Sequence, residues 1–177
     1  LGHSTVMACP TVTSTITMAT WKINPKTGGP CTLGYRSDHN KTDRTNCSGS
    51  MNWKSRPERD QALEIQQVGL ADEGCYTCEI VTHEGNFHQM YDLTVLVPPR
   101  LTLYCDDHGS PVCEAAAGKP AAEISWVPEG NSTPRADSHD NGTVTVLSRF
   151  AAHSAGGKDA TCTVSHAALN ETKSIAC

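Results

Sequence analysis

The sequence predicts an all-β protein built as two tandem β-sandwiches, and three observations carry that prediction. First, a Cys–Trp–Cys spacing occurs twice, as Cys9, Trp21 and Cys78 and again as Cys113, Trp126 and Cys162. In each copy the tryptophan follows the first cysteine by 12 or 13 residues. That is the spacing of two sheets pinned by a disulfide against a buried indole, the mark of an immunoglobulin-like sandwich. Second, apolar and polar residues alternate over short runs bounded by turn residues, the period of strands rather than of helices. Third, the 177 residues hold nine cysteines and five Asn-x-Ser/Thr sequons, at Asn40, Asn46, Asn131, Asn141 and Asn170. That combination belongs to an oxidising, extracellular compartment. The length suits two domains of about 90 residues each.

Taken in order, only eight residues precede Cys9, so the first strand is expected to be cut short or unstructured. Ala19, Trp21 and Ile23 then share one strand face, and the stretch from Pro25 to Pro30 turns the chain. The segment from Asp60 to Leu70 has a helical composition, yet Leu63 and Ile65 alternate as a strand would, with Val68 and Leu70 in the following turn. In Asp72-Glu73-Gly74-Cys75-Tyr76-Thr77-Cys78, the residues Tyr76 and Cys78, with Ile80, point inward. Tyr76 stands two residues before Cys78, where a tyrosine corner places its hydroxyl. Gly85-Asn86 reads as a turn, and Leu93, Val95 and Val97 as the last strand of the first domain.

Val97-Pro98-Pro99-Arg100 marks the boundary, because proline cannot donate to a ladder and two together stop a strand. The expected domains are therefore 1–97 and 98–177. In the second, Leu101, Leu103 and Cys105 open a new alternation. Ile124 with Trp126, Val144 with Val146, and Cys162 with Val164 continue it, and Asn141-Gly142 supplies a turn. Aromatic residues make up only 5% of the chain, so both cores must be thin and disulfides must help hold them.

The sandwich pattern nominates Cys9–Cys78 and Cys113–Cys162 as intersheet bridges. Cys31 and Cys47 flank a polar excursion carrying Asn40, and a bridge between them would staple it. Cys105 and Cys177, in the first and last strands of the second domain, form the fourth expected pair. Cys75 is left as a free thiol or with a partner elsewhere.

Several function classes are disfavoured. A formal charge of −5 and no basic stretch longer than two residues argue against nucleic acid. Cys75-Tyr76-Thr77-Cys78 is a CxxC, but on a strand residues three apart face opposite sides, so redox or metal chemistry is not expected there. Asp106-Asp107-His108 and Asp137-Ser138-His139-Asp140 lie among turn residues and read as solvated loops. No nucleophile elbow accompanies them. No enzyme activity, metal, cofactor or small-molecule substrate is expected. No run approaches the roughly 20 apolar residues of a membrane span, and no signal peptide is evident, so the chain is expected to be a mature or engineered ectodomain, with any anchor lying beyond Cys177.

The chain resembles the receptor family for the cluster-of-differentiation-200 (OX-two) membrane glycoprotein, an immunoglobulin-superfamily group, across nearly its whole length. In the first domain the likeness is carried by Thr20-Trp21, Pro30-Cys31-Thr32, Tyr35, Thr45-Asn46-Cys47, Trp53 with Ser55-Arg56-Pro57, Val81-Thr82, Glu84-Gly85-Asn86-Phe87 and Val95-Leu96-Val97. In the second it is carried by Val112-Cys113-Glu114-Ala115, Ala117-Gly118-Lys119-Pro120-Ala121-Ala122, Ile124-Ser125-Trp126, Asn141-Gly142-Thr143-Val144-Thr145-Val146 and Val164-Ser165-His166. The resemblance implies a variable-type domain followed by a constant-like one. It also implies the extracellular part of a single-pass plasma-membrane receptor on myeloid cells, binding the OX-two glycoprotein or a related immunoglobulin-superfamily protein on an opposing cell. The family contains activating relatives that pair with a membrane signalling adaptor and need not bind that antigen. Here Ala8 stands where the receptor has a second adjacent cysteine, and the positions of an extra receptor cysteine pair correspond to Asn131 and Phe150 or a near neighbour.

If Tyr76 and Cys78 face the core, Cys75, Thr77, Glu79 and Val81 face out, on the side that variable-type domains commonly offer to partners. The expected ligand-binding set adds the loop His83 to His88, including Asn86, with Phe87 as the aromatic anchor at its tip. Lys22, Tyr35 and Arg36 are expected to flank it.

Overall fold

The computed structural model describes residues 1–152 and 158–177, and the chain divides between Val95 and Leu96 into two compact units. The division falls two residues earlier than the prolines suggest. Val97 pairs with Lys119 of the second unit, its N–H donating at 3.0 Å and its carbonyl accepting at 2.9 Å.

The first unit contains β1 (Thr5–Met7), β2 (Ile16–Pro25), β3 (Cys31–Arg36), β4 (Lys41–Thr45), β5 (Met51–Trp53), β6 (Leu63–Ile65), β7 (Gly74–Thr82) and β8 (Gly85–Leu93). They form two antiparallel sheets, β1-β6-β5 and β4-β3-β2-β7-β8. The five-stranded sheet, enlarged by β3 and β4, is the variable-type arrangement. The first strand is short, as expected, but it is structured: β1 pairs with β6 from Thr5↔Ile65 to Met7↔Leu63. Gly2 and His3 extend the contact to the Val68 backbone. Within the Asp60–Leu70 stretch the strand is Leu63–Ile65, with Leu63 and Ile65 fully buried, and one 3₁₀ turn, Leu70–Asp72, follows.

The core gathers Trp21, Ile23, Leu33, Tyr76, Cys78 and Ile80. Trp21 stacks on Tyr91 at 6.4 Å and donates its indole N–H to the Gln61 carbonyl at 2.8 Å. The tyrosine corner is present, with the Tyr76 hydroxyl donating to the Asp72 carbonyl. Burial, with the Asp72 carboxylate nearby, pushes that hydroxyl well above the ordinary tyrosine range. Glu73 is buried, yet its carboxylate is satisfied by the Val95 backbone N–H at 2.8 Å and the Lys26 ammonium at 3.1 Å. It thereby ties the end of the first unit to the start of β7.

The second unit contains β9 (Arg100–Cys105), β10 (Pro111–Gly118), β11 (Glu123–Val127), β12 (Ser132–Ser138), β13 (Val144–Phe150), β14 (Ala160–His166) and β15 (Leu169–Ile175). Sheets β12-β13-β10-β9 and β11-β14-β15 divide four and three, the constant-type partition. Trp126 stacks on Phe150 at 4.8 Å and donates to Ser148 Oγ at 2.9 Å.

Four disulfides join Cys9–Cys78, Cys31–Cys47, Cys105–Cys177 and Cys113–Cys162, and Cys75 is free. Asn131 and Phe150, the positions expected with their near neighbours to correspond to an extra cysteine pair, lie at one strand end. Ser132 pairs with Phe150, and the Asn131 carbonyl accepts the Ala151 N–H at 2.9 Å.

Candidate functional site

The outward face of the five-stranded sheet is read directly from its register, because residues paired across antiparallel strands project to the same side. β7 alternates buried and half-buried along its whole length, so Cys75, Thr77, Glu79 and Val81 do face out. The face falls into rows across the strands. Arg36, Met18, Val81 and Asn86 make one row; Gly34, Thr20, Glu79 and His88 make the next. Thr32, Lys22, Thr77 and Met90 make a third, and Asn24, Cys75 and Asp92 close the face. Its chemistry is mixed. Lys22 and Glu79 form an ion pair at 3.1 Å, both half-exposed and so contributing at most about 1 kcal/mol. Around that pair lie Met18, Val81 and Met90, the last 62% exposed. Gly34, opposite Thr20, adds no side chain to its row.

Of the expected ligand-binding residues, Lys22, Arg36, Thr77, Glu79, Val81, Asn86 and His88 come together on this face, and His83 sits at its hairpin. Tyr35 does not join them. It pairs with Ala19 and is buried with Leu33 on the core side, its hydroxyl donating to Asn40 Oδ1 at 2.9 Å. The alternation that points Arg36 outward turns its neighbour Tyr35 inward.

Phe87 also departs from expectation. The connection between β7 and β8 is only His83-Glu84, so Phe87 lies on β8 rather than at a loop tip. It pairs with Ile80, whose side chain is fully buried, and so projects toward the inner side of the sheet; at the strand edge it stays 37% exposed. Thr82 Oγ1 fixes the tight turn by accepting the Glu84 N–H at 3.1 Å. Met18 and Met90 also stand on this face, outside the expected set. The signal for Met90 was present in the alternation Asn86, His88, Met90, once the hairpin turn is known to hold two residues.

Cys75 stands half-buried at the lower end of this face, opposite Asp92. Cys78 is fully buried in its bridge to Cys9 on the other side, so the CxxC sulfurs point apart. Among the described residues, no group of three or more His, Cys, Asp or Glu side chains is placed to hold a metal ion. The acid–histidine clusters are structural. Asp106 accepts the Ser110 and His108 N–H groups at 2.8 and 2.9 Å and pairs with Arg149 at 3.1 Å. Those contacts, the Ser110 bond foremost, hold its carboxyl below the usual range. His139 Nε2 lies 2.7 Å from Thr145 Oγ1.

All five sequon asparagines are exposed. Asn40 and Asn46 bracket the edge strand β4, both at positive φ (46° and 62°). Asn141 Oδ1 accepts the Thr143 N–H and hydroxyl, at 3.0 and 2.7 Å. No helix among the described residues is long and apolar enough to cross a membrane.

The comparisons agree with this architecture. The immunoglobulin V-set domain family matches residues 1–96, and the CD80-like C2-set immunoglobulin domain family matches residues 108–173. The chain is 71% identical over 177 residues to the cell surface glycoprotein CD200 receptor 1-A of Gallus gallus, covering all of this chain and 59% of that relative. It is 70% identical to CD200 receptor 1-B of Gallus gallus, covering all of this chain and 72% of that relative. Among solved structures, the extracellular portion of mouse CD200RLa superimposes with a TM-score of 0.93 at 38% identity, over 99% of this chain and 94% of the other.

Proposed function

The chain belongs to the CD200 receptor family, cell-surface receptors of the immunoglobulin superfamily with no enzymatic role, and on that premise we propose that it binds the CD200 (OX-two) membrane glycoprotein on an opposing cell. Binding uses the outer face of the first domain, as the extracellular part of a single-pass receptor that regulates myeloid activation. One observation carries the choice of face. The β4-β3-β2-β7-β8 sheet sets exposed Met18 and half-buried Val81 on one side of the Lys22–Glu79 ion pair and exposed Met90 on the other, with Arg36 and His88 on the same face. Non-obligate recognition surfaces are mixed in this way, with Met and Arg enriched in them.

Thr77 lies centrally in the face, between Lys22 and Met90. Flowing the soluble CD200 glycoprotein over immobilised ectodomain should give saturable binding, and Thr77→Arg should weaken it at least about tenfold, a cost of about 1.4 kcal/mol. Absence of binding up to high micromolar concentration would overturn the proposal. It would leave the other reading, an activating receptor that signals through a membrane adaptor and recognises a different ligand.

A further inference from the structure

The second domain carries a face that the first domain's role does not use. In the β11-β14-β15 sheet, the register sets three rows side by side on the side opposite Trp126 and Cys162. Glu123, Ser165 and Asn170 form the first row; Ser125, Thr163 and Thr172 the second; Val127, Thr161 and Ser174 the third. Each of these residues is exposed or half-exposed. The two lower rows are entirely small hydroxyl side chains apart from Val127. They are linked across the strands: Thr161 Oγ1 lies 2.8 Å from Ser174 Oγ, and Thr163 Oγ1 lies 3.5 Å from Thr172 Oγ1. Such a face has few charges, few long side chains and little relief. Rows two residues apart on strands about 4.8 Å apart make it roughly 13 Å by 10 Å.

Asn170 stands at one corner of this array, and its side chain projects to the same side as the hydroxyls. It opens the Asn170-Glu171-Thr172 sequon. We infer that the N-linked glycan of Asn170 lies down along β15 and β14 and uses this hydroxyl face as its bed. Hydroxyl groups that can both donate and accept match those of sugar rings. Val127, 59% exposed in the far row, offers an apolar patch to the C–H side of a ring. The remaining sequons do not open onto such a face: Asn40 and Asn46 bracket the edge strand β4, Asn131 precedes β12, whose residues are all exposed, and Asn141 sits in the β12–β13 turn.

The test uses the glycosylated ectodomain secreted from animal cells. Glycopeptide mass spectrometry first establishes occupancy at Asn170; an unoccupied site would overturn the inference. Native-state release by a peptide:N-glycosidase is then followed site by site. A glycan that must leave its bed before cleavage is protected in proportion to the packing, so about 1.4 kcal/mol of packing makes Asn170 release about tenfold slower than Asn141 release. Thr163→Arg, which raises a long charged side chain in the middle of the bed, should bring the two rates together at unchanged melting temperature. Val127→Ser, a milder change, should do so in part. Equal rates at Asn170 and Asn141 in the unmodified protein would refute the proposed packing, whatever the ectodomain binds.

Discussion

Met90 is the sharpest probe of the proposed binding face, because register alone places it there. It is 62% exposed in the free domain, so its truncation should cost little folding stability. Burying a whole methionine side chain stabilises by about 1.5–3 kcal/mol. The exposed portion that a partner could still cover therefore corresponds to about 1–2 kcal/mol, or roughly a 5- to 30-fold increase in Kd for Met90→Ala. Phe87→Ala supplies the contrast. Phe87 pairs with buried Ile80 and is largely covered already, so its loss should lower stability by about 1–3 kcal/mol and change affinity less than Met90→Ala does. Surface plasmon resonance against the CD200 glycoprotein, with thermal melts on the same samples, reads both quantities. If Phe87→Ala weakens binding at full stability while Met90→Ala leaves it untouched, the assignment of faces along β8 is wrong.

Two further outcomes follow from local geometry. Gly74 opens β7 with its Cα pressed against β2, so a Cβ there would meet the Asn24 carbonyl oxygen at 2.3 Å and Pro25 Cα at 2.6 Å. Both are backbone atoms that cannot swing aside, and Gly74→Ala should destabilise the first domain by about 3 kcal/mol or more, measured by denaturant unfolding. The second concerns acid. Asp106 has a folded pKa below its unfolded one, so its contribution is present at neutral pH, above the unfolded value, and is lost as pH falls through the folded one. The melting-temperature gap between the native protein and Asp106→Asn should therefore narrow from pH 7 to pH 3; a constant gap would show that the carboxylate charge is not what stabilises the loop.

What could be read from the sequence was whatever depends on short, local periods. Trp21, Tyr76, Cys78 and Leu63 announce their orientation because a strand has a strict two-residue alternation and a buried side to obey it. The errors arose where phase passes through a turn. Gly85-Asn86 has turn-like residue types, and Gly85 does sit at φ 141°, yet the turn centres on His83-Glu84. A loop from His83 to His88 would take that stretch of β8 out of the ladder, and with it the register that sends Phe87 inward and Met90 outward. A single residue of phase moves every side chain of a strand to the other face. Tyr35 shows the same sensitivity within one strand, since it could not share a face with Arg36.

The cysteines show why two thin sandwiches can stand. The second core relies on Ala115, Ala122 and Ala160 beside Trp126 and Phe150, so it buries little apolar surface per residue. Its bridges act where hydrogen bonds cannot. Cys113 and Cys162 join the two sheets at the centre, in front of Trp126. Cys105 and Cys177 join the end of β9, the edge of one sheet, to the chain just beyond β15, the edge of the other. No ladder links those edges, so this bridge closes the open side of the sandwich. The two loops span 49 and 72 residues, which in the chain-entropy account correspond to about 4 kcal/mol each, against about 3 kcal/mol for the 16-residue Cys31–Cys47 loop. The same geometry explains why Cys75 has no disulfide partner within the chain. Two bridges cross the interior, Cys31–Cys47 links β3 to the chain just beyond its neighbour β4, and Cys105–Cys177 joins two sheet edges, whereas Cys75 faces outward from β7 with Asn24 and Asp92 as its neighbours, and neither can pair with it.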